Sequence, residues 1–151
     1  MTSTDPHLST EAVVTAVREV AAEYGRTVTA VAHDIGADQV ARRTSAPLFA
    51  VTDPDGSLPH EAFVELAGPP HVELTVHPEG DTRVVVDGVD FPDVAHEHVA
   101  HFLRALFSGT AHIVSRFFPP ATTLVVPLPG DVTYKEHVGV PLSPWLTARR
   151  R

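Results

Sequence analysis

Apolar residues recur at helical spacing in two stretches of this chain, one near the N-terminus and one in the second half. In residues 10–24 they lie three or four positions apart with charged residues on the other side, and Ser9 and Gly25 suit the two ends of a helix. Residues 93–108 repeat the pattern and stop at Gly109. The spacing predicts two amphipathic helices, each of which packs one face against the rest of the fold.

Between these helices and after the second one, apolar and polar residues alternate, which is typical of antiparallel strands with one solvated face. Turn-forming residues at 53–56, 78–81 and 87–88 separate the alternating stretches and therefore predict hairpins. The last strand is expected at a sheet edge, where prolines are tolerated. The predicted strands comprise residues 48–51, 62–66, 71–77, 82–86, 110–118, 122–126 and 131–138.

Residues 26–46 leave two structures open, a β-strand favoured by their branched residues or a further helix. A helix would permit a helix-turn-helix interpretation with the turn at Gly36. However, the apolar anchor expected about six residues after that glycine is replaced by Arg42, and the apolar Val40 lies two residues early. A DNA-binding regulator acting through residues 34–43 is therefore the less favoured of two alternative functions.

Together these elements predict an α+β fold in a single two-layer domain. An antiparallel, hairpin-rich sheet of five to seven strands is packed by an N-terminal helix and a second helix. The domain is expected to span residues 10–138, between a flexible N-terminus at residues 1–9 and an extended C-terminal tail at residues 139–151, which Trp145 anchors. A chain of 151 residues is long enough for one such domain with a true core.

Composition and charge exclude several classes of protein. The absence of cysteine rules out disulfides, thiolate metal sites and cysteine nucleophiles. A formal net charge of -8 repels nucleic acid and suits a basic partner protein. The N-terminal residues do not resemble a secretory signal, and no apolar stretch approaches the roughly 20 residues of a membrane helix. We therefore expect a cytoplasmic protein that binds neither nucleic acid nor membrane.

Three of the ten histidines stand beside Glu97 in the second predicted helix. At about 100° per residue, His98 and His101 share one flank, whereas His96 lies on the opposite flank. The order His-Glu-x-His also differs from the His-Glu-x-x-His spacing of a zincin helix. The pair would need a third ligand, and the candidates are His71 and His77 on the solvated face of a predicted strand and His112 after the helix.

These considerations predict no metal site, and a metal-dependent enzyme or metal-binding protein that uses His98 and His101 is kept as the first alternative function. Other chemical signatures are missing from the sequence. It contains no Gly-x-Ser-x-Gly nucleophile elbow and no glycine-rich phosphate loop of the P-loop or Rossmann type. We therefore predict no catalytic residues and no cofactor.

Apolar residues beside two proline-rich breaks have no clear place in the predicted core. Aromatic residues flanked by prolines often contact a partner or a second copy, although they can also close the domain's own core. We expect a non-catalytic, small acidic protein-binding domain of inhibitor, immunity or adaptor type, whose partner is a basic protein or a second copy in a homodimer. The candidate interaction residues are Phe117, Phe118, Trp145 and Leu146.

Overall fold

The computed structural model of the chain describes residues 9–34 and 61–150. Antiparallel strands dominate these ranges, with helices before, between and after them. The helices are α1 (Thr10–Glu23), α2 (Val99–Ser108) and α3 (Pro144–Ala148), with a 3-10 turn at His96–His98 before α2. The strands are β1 (Val28–Asp34), β2 (Glu61–Leu66), β3 (Val72–Val76), β4 (Asp81–Val86), β5 (Val89–Ala95), β6 (His112–Phe117), β7 (Pro120–Leu128) and β8 (Val132–His137).

The first sheet is a five-stranded antiparallel meander in which the strands lie in the order β1-β2-β3-β4-β5. Inward-facing residues are buried, as with Val72, Leu74 and Val76 of β3, and the residues between them are half-buried on the outer face. This pattern follows from the side-chain period of two along a strand. The outer face therefore carries the polar residues of β2, β3 and β4.

The second sheet has three strands in the order β6-β7-β8. Within β6 only Ile113 is buried, and residues 114–117 are exposed. Its partner strand β7 is buried at Leu124, Val126 and Leu128, toward its C-terminal end. The sheet is consequently packed at one end, and the β6–β7 turn lies at the unpacked end.

Helix α2 connects the two sheets. The ring of Phe102 meets Phe91 of β5 edge-on at 5.0 Å between centroids, and meets Tyr134 of β8 at 5.7 Å. Helix α2 also packs against α1 and β7, and α1 lies against β2 and β3. The two sheets and the helices therefore share one hydrophobic core. None of the helices within the described ranges has the length and apolar character needed to cross a bilayer.

The α+β class predicted from the sequence is confirmed, but the strands are divided differently. They form one sheet of five strands and one of three instead of a single sheet of five to seven. A third helix, α3, was not predicted. The division arises at α2, which separates β5 from β6 along the chain and contacts both sheets, β7 through its packing and β5 through Phe102.

The second helix begins later than the periodicity predicted: the helix prediction was wrong for residues 93–95, whereas residues 96–98 form a 3-10 turn. Residues 93–95 belong to β5, which pairs with β4 through Asp81↔Ala95 and Thr82↔Val94. Pro92 is accommodated because β5 is an edge strand of its sheet, where a residue without an N–H is tolerated. Strand pairing thus outweighs the helical pattern until the 3-10 turn.

The uncertain segment 26–46 is a strand in its first part. Residues Val28–Asp34 form β1, which pairs antiparallel with β2, for example through Val31↔Val64. The first helix of the helix-turn-helix interpretation is therefore absent at these residues. The rest of the segment, and the predicted strand at residues 48–51, lie outside the described residues.

The C-terminal segment contains α3 where extended chain was predicted. The Ser143 hydroxyl caps this helix by accepting a hydrogen bond from the Leu146 N–H at 3.1 Å, and Pro144 occupies its first position. Trp145 is 8% exposed and Leu146 is fully buried. The tryptophan ring therefore anchors this end of the chain, as expected.

Candidate functional site

The β6–β7 hairpin carries the most exposed apolar side chains in the described part of the chain. Phe117 and Phe118, at its turn, are 96% and 90% exposed, and Val114 on the same strand is 48% exposed. The strands pair up to the turn through Phe117↔Pro120. Because residues 114–120 are all exposed, this end of the hairpin projects from the body of the fold.

The four candidate interaction residues fall into two different environments. Phe117 and Phe118 are exposed together at the hairpin turn, whereas Trp145 and Leu146 are buried in α3 as part of the core. Side chains in the second pair are already covered by the chain itself. Of these four candidate residues, a partner can therefore contact only Phe117 and Phe118.

The three histidines around the start of α2 do not converge. His96 is 2% exposed, and its Nε2 lies 2.9 Å from the Asp81 carbonyl oxygen. The Nδ1 of His98 lies 2.7 Å from the Tyr134 hydroxyl oxygen, and the two rings meet edge-on. His101 is exposed on α2. His96 and His98 are thus held in structural contacts, His96 with β4 and His98 with β8.

The proposed pair His98 and His101 finds no third metal ligand among residues 9–34 and 61–150. Of the three candidate donors, His71 and His77 are paired with glutamates on the outer face of the first sheet. The third, His112, has its Nδ1 3.2 Å from the Thr110 carbonyl oxygen. The structure therefore adds nothing that favours a metal at the α2 pair.

A cleft of about 390 Å³ lies between α2 and the β7–β8 turn. Its polar lining includes His101, Arg104, Ser108 and Thr110. Arg104 is paired with Glu23 at 3.2 Å, and the hydroxyls of Ser108 and Thr110 lie 3.0 Å apart. In this lining the two hydroxyls are therefore hydrogen-bonded to each other, and the arginine is paired with a carboxylate of α1.

A different group of side chains converges on the outer face of the first sheet. Glu65, His71 and Glu73 each offer a ligand atom, and these atoms lie within 4.8 Å of one another. Glu65 of β2 lies directly opposite Glu73 of β3 in the register. His71, at the entrance to β3, places its Nε2 2.6 Å from the Glu65 carboxylate. Within the described ranges this is the one group of three or more residues with metal-ligating geometry.

A second histidine–glutamate contact and one ion pair also lie on this outer face. His77 Nδ1 lies 2.8 Å from a carboxylate oxygen of Glu61. Arg83 binds Asp90 through two parallel hydrogen bonds, from Nε and Nη2, both of 2.9 Å. These bonds, with the attraction of the Asp90 charge, raise the pKa of the Arg83 guanidinium above its ordinary value. Arg83 is therefore a charged group that donates two of its hydrogen bonds to Asp90.

The sequence contained part of the signal for the glutamate–histidine group. The period-two pattern placed His71 and Glu73 on the solvated face of one predicted strand. The missing partner, Glu65, lies on a neighbouring strand, and only the register brings it opposite Glu73. Sequence periodicity shows which face a residue occupies but not which residues of two strands are opposed.

The candidate functions of this chain rest on the residues of the hairpin turn and of the outer sheet face. No protein-family model, no curated protein and no solved structure matches this chain.

Proposed function

We propose that this chain is a non-catalytic protein-binding domain that contacts its partner through the turn of the β6–β7 hairpin. The observation that carries the proposal is the exposure of two adjacent phenylalanines, 96% for Phe117 and 90% for Phe118. Single exposed apolar residues are ordinary on protein surfaces, but neighbouring aromatic residues on a projecting element are typical of interfaces. Burying each ring would stabilise a complex by about 1.5–3 kcal/mol before the costs of association.

The hairpin turn lacks support from the rest of the described fold. Residues 114–120 are exposed, so this part of the hairpin is a two-stranded ribbon without a packed face. Such a ribbon is marginally stable in isolation. A partner that covers Phe117, Phe118 and Val114 would supply the missing packing. Exposed Arg116 adds a side chain of the kind enriched at interfaces.

The charge of the chain favours a basic partner. A formal net charge of -8 makes two copies repel one another and attracts a positively charged protein. A second copy is therefore the less favoured occupant of this surface. Inhibitor, immunity-type and adaptor proteins all act by binding a partner in this way, without chemistry of their own.

The proposal predicts that capture of a partner depends on the two phenylalanines. Lysate of the native host is passed over three immobilised forms of the chain: the wild type, the double variant Phe117→Ser/Phe118→Ser and the control Val140→Ser. The control removes a 37% exposed apolar side chain that lies outside the hairpin. We expect a basic protein to be retained by the wild type and the control and to be released by salt. Calorimetry with that purified protein should show at least about tenfold weaker binding for the double variant, or about 1.4 kcal/mol.

Three outcomes would contradict this proposal. The captured protein could bind the double variant as tightly as it binds the wild type. Every protein in the lysate could also be retained equally by the wild type and by the double variant. Alternatively, light scattering could show a wild-type dimer that the double variant converts to a monomer. That last result would assign the hairpin surface to self-association instead of a basic partner.

A further inference from the structure

We propose that Glu65, His71 and Glu73 form a binding site for a divalent transition-metal ion, with Zn²⁺ as the best match. One ligand atom from each residue lies within 4.8 Å of the other two. All three side chains lie half-buried on the outer face of the first sheet. This site is on β2 and β3, and so it is separate from both the β6–β7 hairpin and the His98 and His101 pair.

The distances are close to those that a tetrahedral ion requires. Zinc binds imidazole nitrogen and carboxylate oxygen at about 2.0–2.2 Å, which places tetrahedral ligand atoms about 3.3 Å apart. The His71 Nε2 and Glu65 Oε2 atoms are now 2.6 Å apart, and the widest separation in the group is below 4.8 Å. The side chains of His71 and Glu65 are 44% and 32% exposed and therefore have room to rotate. Such rotations would lengthen the His71–Glu65 distance and shorten the distances to Glu73.

Electrostatics favour a cation at this position. Glu65 and Glu73 are opposed across β2 and β3, and like charges directly opposite one another destabilise a sheet. Arg83 acts on Glu73 through its charge, but its two hydrogen bonds, from Nε and Nη2, both go to Asp90. A metal ion between the two carboxylates would offset their repulsion directly.

The backbone already holds the histidine in place. The His71 N–H donates a hydrogen bond of 2.8 Å to the Asp87 carboxylate, and the His71 carbonyl accepts one of 2.9 Å from the Asp87 N–H. Because Asp87 lies in the β4–β5 turn, these bonds fix His71 at the entrance to β3. The ligand is thus positioned by the fold before any ion arrives, which lowers the cost of binding.

The donor set indicates which ions fit. One imidazole nitrogen with two carboxylate oxygens suits zinc and similar transition metals, whereas Mg²⁺ and Ca²⁺ take oxygen ligands alone. Three protein ligands would leave a fourth position for water. The neighbouring His77–Glu61 pair has the same chemistry without a second carboxylate, and it therefore provides a matched control on the same face.

The test uses the untagged full-length chain after a chelator has removed bound metal. Calorimetry measures the binding of ZnCl₂, and absorption spectroscopy of a CoCl₂ titration shows whether a tetrahedral cobalt spectrum appears. We expect one equivalent to bind the wild type and the control His77→Ala equally. Binding should be at least about tenfold weaker in Glu65→Gln, His71→Ala and Glu73→Gln. Without metal, Glu73→Gln should raise the thermal midpoint because it removes carboxylate repulsion. Zinc should raise the midpoint of the wild type and of His77→Ala, but not that of the three site variants.

The glutamine variants keep the side-chain shape and so test the site even if His71→Ala folds poorly. The proposal is overturned if the wild type binds no stoichiometric zinc. It is also overturned if Glu65→Gln and Glu73→Gln bind as tightly as the wild type, because the ion then sits on other histidines. An equal loss of zinc affinity in His77→Ala would also overturn it, because the ion would then be bound nonspecifically by surface imidazoles.

Discussion

Among single residues, Tyr134 links the two sheets most directly. Its hydroxyl oxygen accepts a hydrogen bond of 3.2 Å from the Ala95 N–H at the end of β5 and lies 2.7 Å from His98 Nδ1. Its ring also packs edge-on against Phe102. One side chain of β8 therefore satisfies a backbone group of the first sheet and covers the central ring of α2.

This arrangement predicts that Tyr134→Phe lowers the free energy of unfolding by about 1–3 kcal/mol, because the ring packing survives while the Ala95 N–H loses its partner. Urea denaturation followed by circular dichroism measures the change. The matched control is Tyr24→Phe, since the Tyr24 hydroxyl makes no hydrogen bond within the described part of the chain. Equal stabilities for Tyr134→Phe and the wild type would show that the hydroxyl does not join the sheets.

Among the secondary-structure elements, α3 depends on a contact with a distant turn. The two carboxylate oxygens of Asp87 accept hydrogen bonds from the His71 N–H at 2.8 Å and from the Ser143 hydroxyl at 2.5 Å. Ser143 in turn caps α3. Helix α3 has only five residues, and its position therefore relies on this cap and on the burial of Trp145.

We expect Asp87→Ala to loosen α3 and to lower the free energy of unfolding by about 1–3 kcal/mol, because the Ser143 hydroxyl and the His71 N–H lose their acceptor. Trp145 is the only tryptophan, so its fluorescence emission should shift to longer wavelength as the ring becomes solvated. Ser108→Ala, at the exposed end of α2, should leave the emission unchanged. Unaltered emission in Asp87→Ala would mean that the Trp145 contacts hold α3 without the Ser143–Asp87 hydrogen bond.

For the whole molecule, the shared core predicts cooperative unfolding. Because α2 packs against α1 and β7 and the ring of Phe102 contacts both sheets, neither sheet has a separate core. Tryptophan fluorescence, which reports on α3, and far-ultraviolet circular dichroism, which reports on all elements, should give coincident urea transitions. Separate midpoints would show that the three-stranded sheet unfolds as an independent unit.

The predictive power of the sequence differed between features of the fold and features of the sites. The turn residues and the alternation of residues 71–86 located β3 and β4 closely, because their inner face is fully buried and their turn chemistry is explicit. The start of α2 was misplaced, because residues 93–98 follow a helical pattern while the pairing of β5 with β4 is a nonlocal interaction. The α2 histidines stood out in the sequence, yet His96 and His98 make structural contacts.

The local sequence specified what depends on neighbouring residues: the α+β class, the helix periodicity, the turns at residues 78–81 and 87–88, the acidic charge and the apolar Phe117–Phe118 pair at a turn. The fold determined what depends on residues far apart in the chain. Helix α2 divided the strands into two sheets, burial removed Trp145 and Leu146 from the available surface, and the β2–β3 register placed Glu65 beside His71 and Glu73. Periodicity assigns a residue to a face, whereas long-range packing and register select the residues that share that face with it.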